Sequence, residues 1–458
     1  MTGHAFSVQG QRVLVVGAAR SGVAAALLLA RRGARVTLTD RKPAIPESDT
    51  LTSAGVALEL GTHRADAFTG ADLIVLSPGV PMELPEVALA RAAGVPVIGE
   101  LELASRWVRG PVVAITGTKG KSTTTTLVGR MLEAAGKRVL VGGNIGVPLS
   151  AQVESSTDDT VHVVEASSFQ LEATDRFHPK IAALLNFSPD HLDRHPSVAA
   201  YAAAKQRVFA NQTAEDWTEV NANSAAALEL ARLTPAREVR YALDAPLGAH
   251  VFADRGFIWQ RTSDGDVPLV PLSAVHLAGR HLLSNVVAAS TISSLAGADS
   301  AAMVRALEGF TGLEHVMEPV STIGGVRFVN DSKATNVDAA ARSIESFSSV
   351  VAIVGGKFKG GDLHELAGPL TAHGRAVVAI GEARPLIREA LAGTVPVVEA
   401  DSLAEAVRRA WTLARPGGVV LLAPACASFD MFVDYADRGR RFKEEVRRLA
   451  EEGVTGEQ

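Results

Sequence analysis

The fold of this chain is decided by the stretch Val112-Val113-Ala114-Ile115-Thr116-Gly117-Thr118-Lys119-Gly120-Lys121-Ser122-Thr123. Its apolar, β-branched start predicts a buried strand, its glycines predict a turn, and we expect a helix from there to Ala135. A glycine turn between a strand and a helix is the context of a phosphate-binding loop, in which consecutive backbone N–H groups surround the phosphate oxygens. Lys121 supplies a positive charge, and the Ser122 hydroxyl can ligate magnesium. The strict pattern has a glycine where Ile115 stands, so we expect a variant loop that binds ATP.

A second glycine turn lies nearer the N-terminus and also follows an apolar strand. Residues 13–16 lead into the turn at residues 17–22, a helix is expected at residues 23–32, and the next strand ends at Asp40. Backbone N–H groups at such a helix start bind a diphosphate, and the carboxylate accepts hydrogen bonds from a nucleoside. Ala19 replaces the central glycine of the dinucleotide fingerprint, which disfavours a nicotinamide cofactor. The alternative is a plain Rossmann-like turn in which Asp40 caps the strand end.

Strands, turns and helices alternate along most of the chain. Further apolar strands are predicted at residues 350–354 and 419–422, and the order of elements predicts parallel sheets covered by helices, an α/β fold. Residues 239–271 contain few helix formers and predict a small irregular or antiparallel insert. With 458 residues and about 150 residues per domain, we expect three domains, at residues 1–100, 101–312 and 313–458.

Composition and charge exclude several classes of protein. The 45 basic and 50 acidic residues give a net charge of -5, which disfavours non-specific nucleic-acid binding. Cys426 is the only cysteine, which excludes an intrachain disulfide and a multi-thiolate metal site. No apolar run is long enough to cross a bilayer, and the first residues do not form a signal peptide. We therefore expect a cytoplasmic protein that binds neither nucleic acid nor a membrane. We also expect a monomer, although composition does not indicate the oligomeric state.

Acidic residues and a histidine form two further groups along the chain. Glu165 ends the predicted strand at residues 161–164, and a carboxylate in that position beside a phosphate loop can ligate magnesium, directly or through water. Further along the chain come Asp190, His191 and Asp193. The two aspartates alone are more often helix caps, and the histidine alone is more often structural. Lys205 lies in an alanine-rich helix predicted at residues 199–209, where a lysine is normally solvated.

Together these motifs resemble the Mur ligases, the ATP-dependent amide ligases of peptidoglycan precursor synthesis, over essentially the whole chain. The phosphate loop and Glu165, with Ser167 and Ser168, are similar to features of the family in general. Two later segments, with Phe432, Tyr435 and Arg438-Gly439 after the second, resemble the member that adds D-glutamate: Asn330-Asp331-Ser332-Lys333-Ala334-Thr335-Asn336 and Pro424-Ala425-Cys426-Ala427-Ser428-Phe429-Asp430. The resemblance implies an N-terminal Rossmann-like domain for UDP, a central P-loop ATPase-like parallel sheet, and a C-terminal Rossmann-like domain for the incoming amino acid.

The resemblance also implies the reaction. D-glutamate is added to UDP-N-acetylmuramoyl-L-alanine through an acyl phosphate that ATP provides, and the family uses two magnesium ions. Cations are needed because the first step brings a carboxylate up to a polyanion. Lys205 matches a lysine that the family carbamylates. A bare ammonium would repel magnesium, whereas a carbamate formed with CO₂ is an anion that can bind it.

The resemblance assigns roles to residues at matching positions. The catalytic residues are Lys121, Glu165, His191 and Lys205, and the metal ligands are Ser122, Glu165, His191 and Lys205 as its carbamate. ATP is expected at Gly117, Thr118, Lys119, Gly120, Lys121, Ser122, Thr123, Asn285 and Asp331. The UDP-linked substrate is expected at Ser21, Asp40, Asn144, Gln170 and His191, and D-glutamate at Thr335, Lys359, Ser428, Phe429 and Tyr435.

The chain departs from the family at Val316, where an arginine is common and would carry charge near the γ-phosphate. Our hypothesis is that Lys119 or Lys357 supplies the missing cation. Without the resemblance, three residues of the D-glutamate set have ordinary interpretations, a solvated loop lysine for Lys359 and core packing for Phe429 and Tyr435.

Three other functions compete with this one. A related amide ligase would add another amino acid or lengthen folate with glutamate. A nucleotide-sugar sensor would hydrolyse ATP without forming a bond between substrates. A dehydrogenase is the weakest rival, because it has no use for a triphosphate loop.

Overall fold

The computed structural model describes residues 6–192, 194–232, 234–244, 248–277 and 279–455. The described chain forms two compact units. The first contains the residues up to Val275 together with Ser284–Glu308, and the second contains His276–Leu283 together with the residues from Gly309 onward. In the described part of the chain, no helix has the length and apolar character that crossing a bilayer requires.

The first unit begins with a parallel sheet in the order β3-β2-β1-β4-β5. Its strands are β1 (Arg12–Val16), β2 (Arg35–Asp40), β3 (Ala57–Leu60), β4 (Leu73–Leu76) and β5 (Val97–Gly99). The helices are α1 (Arg20–Arg31), α2 (Ser48–Ser53), α3 (Ala65–Thr69), α4 (Pro85–Ala92) and α5 (Glu100–Ser105). The strand order reverses between β1 and β4, so the glycine turn after β1 lies at the switch point where open α/β sheets bind ligands.

A second sheet of this unit has the order β14-β13-β12-β11-β10-β9-β6-β8-β7. Its strands are β6 (Val112–Thr116), β7 (Arg138–Gly143), β8 (Thr160–Glu165), β9 (Ile181–Leu184), β10 (Trp217–Asn221), β11 (Arg237–Ala242), β12 (Val251–Asp254), β13 (Phe257–Thr262) and β14 (Gly265–Pro271). The helices along this part of the chain are α6 (Lys121–Ala134), α7 (Leu149–Gln152), α8 (Ser168–Leu171), α9 (Val198–Gln206), α10 (Ala225–Ala231), α11 (Arg280–Leu295) and α12 (Ser300–Leu307). The strand, turn and helix predicted from residue 112 onward are confirmed.

The antiparallel strands predicted within residues 239–271 are confirmed at β12 to β14, but the segment is not an insert apart from the sheet. β11 pairs in parallel with β10 and β12, and only β12 to β14 pair antiparallel, so all of these strands extend the second sheet. Short strands give no local signal of which neighbour they will pair with, because pairing is a non-local contact. The second sheet is therefore mixed at this edge and not purely parallel.

The second unit contains a sheet in the order β15-β16-β20-β17-β18-β19, which is parallel except for β15. Its strands are β15 (Glu318–Ile323), β16 (Val326–Asn330), β17 (Val350–Gly355), β18 (Gly374–Ile380), β19 (Val397–Glu399) and β20 (Val419–Leu422). The helices are α13 (Val337–Glu345), α14 (Ala367–His373), α15 (Arg384–Ala390), α16 (Leu403–Ala414) and α17 (Tyr435–Thr455). The α/β fold class with parallel-dominated sheets is confirmed.

The central strands of the three sheets are buried along their whole length, as in β4, β6, β17 and β20. Parallel strands covered by helices on both faces have this continuous apolar character. Each fully buried valine, leucine or isoleucine stabilises the fold by about 1.5–3 kcal/mol relative to an exposed one. These strands form a rigid support for the turns at their carboxyl ends.

Candidate active site

The phosphate loop joins β6 to α6. Gly120 caps α6 with a left-handed φ of 82°. A Cβ atom there would lie 2.3 Å from Oδ1 of Asn285, so glycine lets that buried asparagine pack directly on the loop. Nζ of Lys121 donates to the carbonyl oxygens of Gly117 and Thr118, at 3.0 Å each. The lysine therefore lies over the loop, where a phosphate would meet its charge. Ser122 and Thr123 follow Lys121 in the first turn of α6.

The segment after β9 holds the phosphate loop from the other side. Oδ1 of Asn186 accepts from the Lys119 amide at 2.8 Å, and Nδ2 of Asn186 donates to the Lys119 carbonyl at 3.0 Å. The Thr118 hydroxyl donates to the Ser188 carbonyl at 3.0 Å. Nζ of Lys119 lies 3.1 Å from Oδ2 of Asp190. Lys119 is thus part of the loop and pairs with an acid one residue before His191.

Lys205 is buried in the first unit, with 1% of its surface exposed. Its Nζ donates to the Gly117 carbonyl at 2.8 Å and lies 4.7 Å from the centre of the Tyr201 ring. Burial, reinforced by the nearby charge of Lys121, holds the pKa of Lys205 well below its usual value. The solvated interpretation of this lysine is therefore wrong, and its amine lies at the same carbonyl as that of Lys121.

Glu165 ends β8 and is 2% exposed. Its Oε1 accepts from Nδ2 of Asn144 at 2.7 Å, while its Oε2 has no hydrogen-bond partner among the described residues. A buried carboxylate oxygen that lacks a donor is suited to a cation. No group of three or more His, Cys, Asp or Glu side chains in the described ranges forms a metal site. The predicted metal ligands are Glu165, His191, Ser122 and a carbamylated Lys205. These residues fit magnesium only if Ser122 and the carbamate add their oxygen atoms to that of Glu165.

His191 and Gln170 lie on the segments that follow β9 and β8. His191 has a left-handed φ of 56°, and its ring contacts Phe169 edge-on with the centroids 5.0 Å apart. Gln170 is 2% exposed, and its Oε1 accepts from the Ser167 amide at 3.0 Å in a capping box at the start of α8. Gln170 thus holds a helix end, while the side chain of His191 is 44% exposed. Asp193 lies outside the described residues.

The carboxylate of Asp40 stabilises the first glycine turn through hydrogen bonds from backbone amides. Its Oδ2 accepts from the Ala18 amide at 2.6 Å and its Oδ1 from the Lys42 amide at 2.8 Å. Ser21 is half-buried at the second position of α1. Asp40 therefore stabilises the turn that a diphosphate would contact. This agrees with the alternative in which Asp40 caps the end of the strand.

In the second unit, the predicted ATP residue Asp331 is buried directly after β16. Its Oδ1 accepts from the Met317 amide at 3.1 Å, and its Oδ2 accepts from the Ser343 hydroxyl. Asp331 and Asn285 belong to different compact units.

The predicted D-glutamate residues also lie in the second unit. The loops after β17 and β20 are joined because Lys357 and Ala427 exchange amide-to-carbonyl hydrogen bonds of 2.9 and 3.0 Å. These loops carry Lys359, which is exposed, and Ser428, which is buried. Thr335 is half-buried in the loop after β16. The aromatic side chains are solvent-accessible, with Phe429 68% and Tyr435 39% exposed, so the core-packing interpretation is wrong for both.

Comparison with known proteins assigns the family. The Mur ligase MurD-like N-terminal domain matches residues 11–99, the Mur ligase middle domain residues 115–293, and the Mur ligase glutamate ligase domain residues 317–426. A protein of Acidobacterium capsulatum named UDP-N-acetylmuramoylalanine--D-glutamate ligase is 46% identical over 455 residues, 98% of each chain. The chain belongs to the Mur ligase family. A Koribacter versatilis protein of the same name is 44% identical over 98% of this chain and 99% of its own.

Solved Mur ligase structures share the fold. The UDP-N-acetylmuramate-alanine ligase of Thermotoga maritima has a TM-score of 0.60 at 19% identity, over 96% of this chain and 100% of its own. At that identity the likeness concerns the arrangement of strands and helices. As a member of the Mur ligase family the protein is an enzyme of the ligase class, and it shares the family's α/β fold.

Sequence reasoning gave no structural or functional role to one residue, Arg438, which the structure places between the two motifs. Arg438 of α17 is fully buried, and its Nε and Nη2 donate to the hydroxyl and carbonyl of Ser332 at 3.0 and 2.9 Å. Its Nη1 donates to the Cys426 carbonyl at 3.2 Å. Burial lowers the pKa of Arg438 to about 10 and raises that of the Cys426 thiol to about 12. Arg438 thus joins the two motifs that resemble the D-glutamate-adding enzyme. Its only signal in the sequence was the resemblance of Arg438-Gly439, which follow the second motif, to that enzyme.

Proposed function

We propose that this Mur ligase joins D-glutamate to UDP-N-acetylmuramoyl-L-alanine with ATP, in the peptidoglycan precursor synthesis of the cytoplasm. The observation that carries the proposal is the meeting of two lysine amines, of Lys121 and Lys205, at the Gly117 carbonyl of the phosphate loop. The names of relatives 46% and 44% identical to the chain support the choice of substrates. The proposed division is residues 1–100 for the UDP substrate, 101–312 for ATP and 313–458 for D-glutamate.

The reaction needs an activated carboxylate, because a carboxylate and an amine do not condense in water. The alanyl carboxylate attacks the γ-phosphate of ATP and ADP leaves, which gives an acyl phosphate. The D-glutamate amine then attacks the acyl carbon, and phosphate is expelled from the tetrahedral intermediate. Lys121 offsets charge on the phosphates, and the backbone amides of the loop hold them. Asn285 and Asp331 are proposed near the adenine and ribose.

Magnesium would be held by Ser122, Glu165 and His191, with the Lys205 carbamate as a further anionic ligand. When bound, the two ions would neutralise the charge of the phosphates. The unpartnered Oε2 of Glu165 supports this assignment. The lowered pKa of Lys205 supports the carbamate, because only a neutral amine attacks CO₂.

The substrates bring charges of their own. The two carboxylates of D-glutamate would be bound by Lys333 and Lys359 with the hydroxyls of Thr335 and Ser428, beside the exposed rings of Phe429 and Tyr435. The UDP-linked substrate would run from Ser21 and Asp40 to Asn144, Gln170 and His191. We propose that the enzyme acts as a monomer, which light scattering of the purified protein tests.

A phosphate-release assay tests the function. With UDP-N-acetylmuramoyl-L-alanine, ATP and magnesium, we expect phosphate only when D-glutamate is added, and none with L-glutamate, L-lysine or diaminopimelate. Release without the UDP substrate would indicate an ATP-hydrolysing sensor. Release with another amino acid, or with a folate acceptor, would indicate a related ligase. Either result would overturn the proposal.

The cation absent at Val316 leads to a further prediction. Lys119 is proposed to replace it, because its ammonium lies on the phosphate loop beside Asp190. We expect Lys119→Asn to lower kcat/KM for ATP about tenfold, which corresponds to about 1.4 kcal/mol of transition-state stabilisation. Lys357→Ala is the matched variant for the alternative donor. The hypothesis is wrong if each variant leaves both kcat and the ATP KM unchanged.

A further inference from the structure

Arginine side chains cross between the loops of the two sheets in the first unit. Nη1 of Arg20, at the start of α1, donates to the Gly146 carbonyl at 3.2 Å, in the loop after β7. Nη1 of Arg194 donates to the Gly79 carbonyl at 3.1 Å, in the loop after β4. The two contacts run in opposite directions, since each sheet extends an arginine to a glycine carbonyl of the other. We call these two contacts the arginine ties.

Each tie ends beside residues proposed to bind the UDP-linked substrate. Arg20 immediately precedes Ser21, and the carbonyl it reaches lies two residues after Asn144, which hydrogen-bonds Glu165. Arg194 lies three residues after His191. The loop that it reaches packs on the first glycine turn, because a Cβ atom at Gly17 would lie 2.9 Å from Cβ of Ser77. The ties therefore connect the diphosphate end of the proposed site to its metal end.

The ring of Phe169 fixes the orientation of the Arg194 guanidinium. The guanidinium carbon lies 4.6 Å from the centre of the Phe169 ring. That ring is packed between His191, at 5.0 Å edge-on, and His195, stacked at 5.1 Å. A guanidinium placed on an aromatic face loses freedom to rotate, so its N–H groups keep a fixed aim.

We propose that Arg20 and Arg194 are positioning residues which together set the distance between the first glycine turn and the Glu165–His191 region. The inference rests on the proposed function. A substrate anchored by its diphosphate at one sheet must present its carboxylate at the other, and an error of about 1 Å there can lower the rate about a hundredfold. The arginine ties act through the loops that they hold and not through contact with the substrate.

Methionine variants test the proposal, because they keep an unbranched apolar stem and remove the guanidinium donors. We expect Arg20→Met and Arg194→Met each to lower kcat about tenfold, with the affinity for UDP alone and the ATP KM within twofold of wild type. Lysine at either position keeps one donor and should restore part of the loss. Because both ties set one distance, the double variant should depart from the product of the single effects.

Arg32 is the matched control, since it crosses the same pair of sheets to an exposed carboxylate, Oε1 of Glu154, at 3.0 Å. Arg32→Met should leave kcat unchanged. The inference is overturned if the tie variants keep wild-type kcat, or if UDP affinity falls in parallel with kcat, which would indicate direct contact with the substrate. A wild-type enzyme that releases no phosphate with the UDP substrate and D-glutamate would instead overturn the proposed function.

Discussion

Replacement of Lys205 by alanine is expected to abolish nearly all ligase activity, with kcat lower by at least about a hundredfold, the cost of removing one preorganised charged group at such a site. The amine is buried against the Gly117 carbonyl and the Tyr201 ring, so its removal leaves the site without that charged group. If the working group is a carbamate, a short-chain carboxylate added to Lys205→Ala should recover part of the activity, and high bicarbonate should not. The measurement is initial phosphate release at saturating substrates.

Lys180→Ala is a control for this variant. Lys180 is a half-exposed lysine that pairs with Asp216 at 3.3 Å, just before β9, and its loss should leave kcat unchanged. The carbamate itself is measured on the wild-type protein by the ¹³C signal after exposure to labelled CO₂. Full activity in Lys205→Ala would contradict the assignment of Lys205 as a catalytic residue and metal ligand.

The second large effect is expected for Arg438→Met. The variant removes three hydrogen bonds in a fully buried place and leaves the acceptors of Ser332 and Cys426 without donors. Unsatisfied buried polar groups cost about 1–3 kcal/mol each, so we expect the free energy of unfolding in urea to fall by about 3 kcal/mol or more. Because Arg438 joins the two motifs of the proposed D-glutamate site, the KM for D-glutamate should rise while that for ATP stays within twofold.

Two variants separate positioning from general stability. Arg438→Lys keeps one donor and should recover part of the D-glutamate affinity. Arg441→Met lies one turn further along α17, where the arginine is 54% exposed and pairs with Asp437 at 3.1 Å, and it should change neither quantity. Equal losses for D-glutamate and ATP in Arg438→Met would contradict the positioning role.

What could be predicted from the sequence was mostly local. The strand, glycine turn and helix from β6 to α6 follow from the β-branched run and the glycines. The pairing of β11 with β10 could not be read locally. The alanine-rich helix that carries Lys205 was placed correctly, but the burial of the lysine depends on the phosphate loop packed against it. Tyr201, one helical turn before that lysine, was the available signal.

The sequence predicted which residues belong to the candidate site better than it predicted the contacts that they make. Lys119 was expected beside a phosphate, and the structure pairs it with Asp190. Asp40 was expected to contact a nucleoside, and it braces the turn through the Ala18 amide. Both contacts join residues far apart in sequence, so no spacing rule could have indicated them.

The buried state of Cys426 has a practical consequence for labelling. Its thiol is 0% exposed and its pKa lies near 12, so at neutral pH it presents almost no thiolate. Thiolate is the species that maleimides and iodoacetamide attack. A cysteine engineered onto the surface would therefore be modified selectively without first removing the natural one, and fluorophore pairs for distance measurements could be attached to the wild-type background.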